Sequence, residues 1–171
     1  MPTSFKEELV EIIPHLRAFA RMLSGNDDKA KDLVQDTIVR ALAAEDKYSP
    51  GTNFKAWMFT ILRNIFYDSL RQKKFEMEPI DDAALMASVP ASQEIHLEVR
   101  DFKRAFVKLA PEQREVLILV GASGFSYEEA AVVCKCAVGT IKSRVSRARS
   151  ELAVALGHGK HAEADIIRAA A

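Results

Sequence analysis

Between Lys135 and Arg149 the chain carries five basic side chains, Lys135, Lys142, Arg144, Arg147 and Arg149, and no acid. Val138, Ile141, Val145, Ala148 and Leu152 recur in this stretch at helical 3-4-3-4 spacing and define one apolar face. At about 100° per residue, Thr140, Ser143 and Arg147 point away from that face. Ser146 and Arg144 flank them. Lys142 and Arg149 stand at the edge of the apolar stripe, where long side chains can reach out past it. A helix face exposed only to solvent usually mixes both signs. An acid-free face of hydroxyls and arginines suits the major groove of duplex DNA. There Arg makes bidentate bonds to guanine, and hydroxyls serve bases or phosphates.

A second constellation lies between Phe54 and Lys74. Phe54, Met58, Ile61, Leu62 and Ile65 share one helical face. The opposite side carries Thr60, Arg63, Asn64, Tyr67, Arg71 and Lys74, with Trp57 and Asp68 at its margin. Cations, an amide and an aromatic ring on one exposed surface suit unstacked bases, which lie on rings while cations hold phosphates. Trp57 could equally be buried, whereas Tyr67 beside three cations is expected to be exposed.

No nucleophile–base pair, metal-ligand cluster or phosphate-binding loop is legible, which argues against an enzyme and for no cofactor. Cys134 and Cys136 form a C-x-C pair. That is not zinc spacing and cannot supply a disulfide framework, so both read as buried core thiols. His158 and His161 form a tail pair of no evident meaning. No apolar run reaches a membrane-spanning length of roughly 18–20 residues, and the N-terminus lacks a signal-peptide core. The expectation is a cytoplasmic protein with no membrane association.

The elements that must position these side chains are nearly all helical. The chain has 171 residues, 49% hydrophobic and 28% charged, room for one ordinary domain or two small ones. Ser4 with Glu7 reads as a capping box opening a first helix to about Leu23, with Pro14 as a kink or restart. A second helix starts near Asp27, with Leu33, Val34, Thr37, Ile38, Ala41 and Leu42 on one face. After a turn at 48–53, a third runs from about Phe54 to Lys74. Periodicity fails from Phe75 to about Gln93, an acidic stretch bounded by prolines and read as a linker. Helical pattern resumes near Glu94, Pro111 opens the next helix, and Ser126 with Glu129 forms another capping box before a short helix Tyr127–Cys134. A turn then leads to a long helix from about Val138 to Leu156. Short helix, tight turn and longer helix is the helix-turn-helix plan. Lys135 occupies a turn position that often prefers Gly, so backbone strain is expected there.

The predicted fold is all-α: two small helical domains, 1–74 and 94–157, joined by a flexible acidic linker at 75–93, with a tail at 158–171. Net charge is zero, yet it divides as +2 over 1–74, −6 over 75–101 and +4 over 102–171. Two mildly basic segments therefore flank an acidic one. The acidity of the linker could serve solubility alone.

Three stretches together resemble bacterial sigma factors. Asp27–Thr37 resembles their second conserved region, and Phe54–Asn64 their promoter-melting helix. Ser126–Ala131 with Val138–Arg149 resembles their fourth region. The match covers nearly the whole chain in the right order, and it is strongly similar to the short extracytoplasmic-function (ECF) group. The stretches Cys134–Thr140 and Phe59–Asn64 look like its general-stress-response branch.

The resemblance implies roles. Asp32, Gln35 and Asp36 match positions that dock on core RNA polymerase. Asn64 and Asp68 match positions near the flipped base of the promoter −10 element, which makes Trp57, Thr60, Arg63, Tyr67 and Arg71 its neighbours on the same helix. Lys142, Ser143, Ser146 and Arg147 match readers of the −35 element, with Thr140, Arg144 and Arg149 beside them. The acidic linker matches a segment threaded toward the polymerase active site. Members of this branch are held inactive by a small anti-sigma protein, released when a response regulator mimics the sigma factor. The expected partners are therefore core RNA polymerase, promoter DNA as duplex and single strand, and an anti-sigma protein. Near-zero net charge limits non-specific phosphate affinity, so polymerase is expected to hold both reading heads and make the second contact intramolecular. Two rivals are a sigma-like decoy that binds the anti-sigma protein without initiating, and a conventional dimeric helix-turn-helix regulator.

Overall fold

The computed structural model describes residues 4–76 and 93–157. Most of the expected linker and the tail from His158, with its histidine pair, lie outside the described residues. Seven α-helices occupy the described chain: α1 Phe5–Ser24, α2 Asp27–Ala43, α3 Phe54–Glu76, α4 Gln93–Lys108, α5 Pro111–Leu117, α6 Tyr127–Cys134 and α7 Val138–Ala155.

Local chemistry sets the helix ends. Ser4 Oγ accepts from the Glu7 N–H at 3.3 Å and Glu7 Oε2 accepts from the Ser4 N–H at 2.8 Å, closing the expected capping box. Gly25 ends α1 in the left-handed region at φ 66°. Asn26 then caps α2 by accepting from the Lys29 N–H at 2.9 Å. Pro14 does not interrupt α1, which runs unbroken through it. Pro14 lies on the exposed side beside Val10, whose side chain is 67% exposed. The carbonyl of Val10, four residues back, is the one Pro14 leaves without a helical donor, and solvent can serve it on that side. Helices α1, α2 and α3 pack on Leu16, Phe19, Leu33, Val34, Met58 and Leu62, all buried.

The C-terminal helices form their own layer. Pro111 opens α5, and a π-helical turn at Ile118–Ala122 follows it, with Ser123 N–H donating to Ile118 O at 2.8 Å. Helices α6 and α7 make the helix-turn-helix, with Ala130, Ala131, Val133, Ile141, Val145, Ala148 and Leu152 inside. Ser126 and Glu129 close the second capping box. Lys135 stands in the left-handed region at φ 53°, the one non-glycine there among the described residues. It forms a Schellman turn, with the Cys136 N–H on Ala131 O at 3.1 Å and the Lys135 N–H on Val132 O at 3.2 Å.

The two layers touch. Phe59 of α3, fully buried, lies 4.7 Å from Phe19 and 4.9 Å from Phe125, ring centroid to ring centroid. Phe125 precedes α6 and is itself buried. Fully burying a phenylalanine side chain is worth about 1.5–3 kcal/mol, and Phe59 is buried by both layers at once.

Candidate nucleic-acid interface

Helix α7 presents the basic face as its spacing predicts. Ile141, Val145, Ala148 and Leu152 are buried, while Lys142, Ser143, Ser146, Arg147 and Arg149 are exposed. Thr140 is half-buried, and Ser143 Oγ donates back to Thr140 O at 3.0 Å. Arg144 differs from its neighbours: it is half-buried, and its charge is felt by the carboxylate of Glu115 on α5.

The outward face of α3 divides in two. Trp57, Thr60, Asn64, Asp68 and Arg71 follow one side. Asp68 and Arg71 are exposed and pair loosely at 3.8 Å, and the other three are half-buried. Thr60 Oγ1 donates to Ala56 O at 2.7 Å. Trp57 sits among Phe5, Tyr48 and Phe54, with centroids 5.3–6.1 Å away. That cluster braces the turn at 48–53 and the start of α3 and leaves the indole partly open.

Lys55, Phe59, Arg63 and Tyr67 follow the other side, each four residues after the last, and this stripe is covered. Arg63 and Tyr67 are not the exposed pair that the helical wheel predicts. Arg63 Nε donates to Glu115 Oε1 at 2.6 Å and its Nη2 to Oε2 at 3.3 Å. Tyr67 Oη donates to Glu115 Oε2 at 3.1 Å. The guanidinium also lies 4.6 Å from the Tyr67 ring centroid. The Arg63 side chain is 16% exposed and that of Glu115 0%. A wheel shows which side leaves the core of a single layer; it cannot show that a second layer lands there. Lys55 Nζ donates to Ser123 O and lies 4.8 Å from the Phe125 ring centroid. Asn53, whose Oδ1 accepts from the Ala56 N–H, gives its Nδ2 to Glu129 Oε1 at 2.7 Å.

Glu115, Ser123, Phe125 and Glu129 therefore join the site as residues that the sequence reading did not single out. Glu115 carried one signal, a carboxylate within the buried run Glu115, Val116, Ile118 and Leu119. Burial is the strongest influence on its carboxyl and raises it above the ordinary range, with Arg63 and Tyr67 opposing. Burial, then the Glu115 charge, push the Tyr67 phenol up, so it stays an O–H donor. Burial, followed by Glu115, pushes the Cys134 thiol up to about 12. Cys134 is buried as expected, while Cys136 is only half-buried. Among the described residues no group of His, Cys, Asp and Glu has the arrangement of a metal site, and no helix is long and apolar enough to cross a membrane.

Asp32, Gln35 and Asp36 of α2 are all exposed beside the buried stripe of Leu33, Val34 and Thr37. Thr37 Oγ1 donates to Leu33 O at 2.6 Å, which satisfies its hydroxyl within that stripe.

Comparison with known proteins agrees with this layout. The family model for sigma-70 region 2 matches residues 9–76, and that for sigma-70 region 4 matches residues 100–152. The chain is 54% identical over 155 residues to the ECF RNA polymerase sigma factor EcfG of Rhodopseudomonas palustris, covering 90% of this chain and 85% of that protein. It also resembles the sigma factor RpoE from Bartonella quintana, solved in complex with the anti-sigma factor NepR. There the TM-score is 0.77 and the identity 48%, over 90% of this chain and 96% of the other. CnrH, solved with the cytosolic domain of CnrY, matches at TM-score 0.67 and 28% identity over 90% and 87% of the two chains. The chain belongs to the ECF group of sigma-70 RNA polymerase sigma factors.

Proposed function

We propose that this chain is a promoter-specificity subunit of bacterial RNA polymerase, serving stress-response genes under the control of an anti-sigma protein. The supporting observation is the pairing, in one member of the ECF group, of two outward helix faces whose chemistry suits DNA. One is the acid-free hydroxyl–arginine face of α7, and the other the partly exposed Trp57, Asn64 and Arg71 stripe of α3. The stress-response assignment rests on the resemblance of Phe59–Asn64 and Cys134–Thr140 to the general-stress-response branch of the group. The anti-sigma assignment rests on RpoE, which was solved with NepR.

On this reading Lys142, Ser143, Ser146 and Arg147 read the −35 duplex, with Thr140, Arg144 and Arg149 supporting. Arg supplies bidentate base contacts, and hydroxyls supply base or phosphate bonds. Asn64 and Asp68 receive a base drawn from the −10 strand, with Trp57, Tyr67, Thr60, Arg63 and Arg71 offering stacking and phosphate contacts. Asp32, Gln35 and Asp36 dock on core polymerase. Residues 1–74 and 94–157 act as the two heads, with the acidic stretch 75–93 between them. Strand opening draws on captured bases, with no catalysis and no cofactor. The exposed cations Lys142, Arg147 and Arg149 favour a DNA reader over a sigma-like decoy.

Separable defects test the assignment. Asn64→Ala lowers open-complex yield, read by permanganate footprinting, and leaves holoenzyme assembly intact. Asp36→Arg weakens core-polymerase binding, read by gel filtration of the assembled enzyme. Loss of assembly in Asn64→Ala, or normal assembly in Asp36→Arg, contradicts the roles assigned.

A further inference from the structure

Among the described residues, Gly139 is the one glycine inside an α-helix, as the second residue of α7. Gly25, Gly51, Gly124 and Gly157 each have a positive φ, which accounts for glycine there; Gly139 does not. Packing does not ask for it either. Gly139 is exposed, and apart from its chain neighbours and its own helix backbone nothing lies within 4 Å of where a Cβ would stand. Glycine is also a poorer helix former than alanine, because it loses more chain freedom on folding. The fold by itself thus has room for a side chain at this position and would be steadier with one.

Gly139 lies within the outward face of α7. At about 100° per residue, Ser143 and Ser146 fall within about 40° of it, while Lys142 and Arg147 stand about 60° and 80° to either side. Those four side chains are exposed. Ser143 Oγ turns back to donate to Thr140 O at 3.0 Å, so its side chain stays low on the helix. The result is a shallow floor between two cations, lowest at the N-terminal end. A recognition helix meets base edges with that end. A helix with its side chains measures about 10–12 Å across, and the major groove is about 12 Å wide. The fit leaves little slack, so added bulk at the leading end decides how deep the helix sits.

We infer that Gly139 is a clearance residue for duplex DNA: its missing side chain lets the first turn of α7 reach the groove floor, so that Lys142, Ser143, Ser146 and Arg147 come within bonding distance of the −35 bases. This rests on the reading of α7 as the −35 reader and adds what sets its depth. A side chain at 139 touches the DNA before those four do and holds α7 outward. The signature differs from the loss of a base contact. Arg147→Ala relaxes preference at one base pair, whereas bulk at 139 weakens preference at every −35 position together.

The test uses holoenzyme assembled from the full chain and purified core RNA polymerase, on a promoter that the wild-type protein selects from a random library. Gly139→Ala and Gly139→Leu both favour the helix, and their urea midpoints are expected to equal or exceed that of wild type. Gly139→Leu is expected to lower transcription about tenfold at limiting holoenzyme, the scale of one lost base contact, and to flatten preference across the −35 element. Gly139→Ala shifts both in the same direction by less. Binding to a fork-junction probe that carries the −10 strand but no −35 duplex stays as in wild type. If Gly139→Leu lowers the urea midpoint, Gly139→Ala decides. A lowered midpoint in Gly139→Ala, wild-type transcription from the folded variants, or an equal loss on the fork-junction probe overturns the clearance role. If Arg147→Ala still loses −35 preference while the Gly139 variants do not, α7 remains the −35 reader. No effect of Arg147→Ala on any −35 variant overturns that reading itself.

Discussion

Glu115 is a carboxylate shut away from water, and a buried charge is tolerated only when it is paired and hydrogen-bonded. Arg63 and Tyr67 meet that demand from another layer of the molecule, and the need for them links the halves. Nearby, the Cys134 thiol is pushed up to about 12, chiefly by burial. At pH 8 it therefore stays protonated, and thiolate is the reactive form. A thiol-exchange assay with Ellman's reagent on the native protein is expected to titrate the half-buried Cys136 first, and Cys134 only after denaturant is added. Simultaneous reaction of both would contradict the packing around α6. Lys135 was legible as a strained turn residue, because a helix-turn-helix needs a left-handed residue where its first helix ends. Replacing Lys135 with Gly relieves the side-chain cost of φ 53°, partly offset by greater freedom in the unfolded chain. The expected net gain is about 0.5–1 kcal/mol, read as a higher urea midpoint. Glu115 was less legible. A glutamate in an apolar stripe says that some partner exists, but its partners lie 52 and 48 residues away, beyond any local pattern.

Helices α6 and α7 were foreseen closely because their signals are local. The capping box at Ser126 and Glu129 fixes one start, and the 3-4-3-4 stripe of α7 fixes its face. Ser126→Ala is expected to cost about 1 kcal/mol of stability, measured by thermal denaturation. Pro14 misled the reading of α1 in the opposite way. A proline in a helix frees the carbonyl four residues back and crowds it with its ring, and exposure of that side lets solvent serve the carbonyl and gives it room to tilt outward. Helix α3 was half legible. Its core face was read correctly at Phe54, Met58, Leu62 and Ile65, but Phe59 lies on a second stripe, packed on Phe19 of α1 and on Phe125 of the segment before α6. At the scale of α7, Arg147→Ala is expected to relax preference at one −35 base pair, at about 1–3 kcal/mol of discrimination. Transcription from a set of −35 variants reads this. An equal loss on every variant would make Arg147 a phosphate contact only.

For the molecule as a whole, zero net charge is expected to leave weak affinity for DNA phosphates, so the proposed function has specificity come from bringing two heads to one promoter together. The sequence revealed two helical units and the charge contrast between them. It could not reveal that the units pack on each other, since Phe59 against Phe125 is a contact between surfaces that each look locally exposed. The packed arrangement covers the stripe Lys55, Phe59, Arg63 and Tyr67 of α3 and leaves Trp57, Thr60, Asn64, Asp68 and Arg71 at least partly exposed. The most direct measurement of the central claim is reconstituted transcription with purified core RNA polymerase on a promoter library, each promoter also tested by gel shift without polymerase at physiological salt. The account predicts transcripts from promoters sharing one −35 and one −10 sequence, and no stable shift by the chain alone. A specific shift without polymerase, or no RNA in its presence, would contradict it.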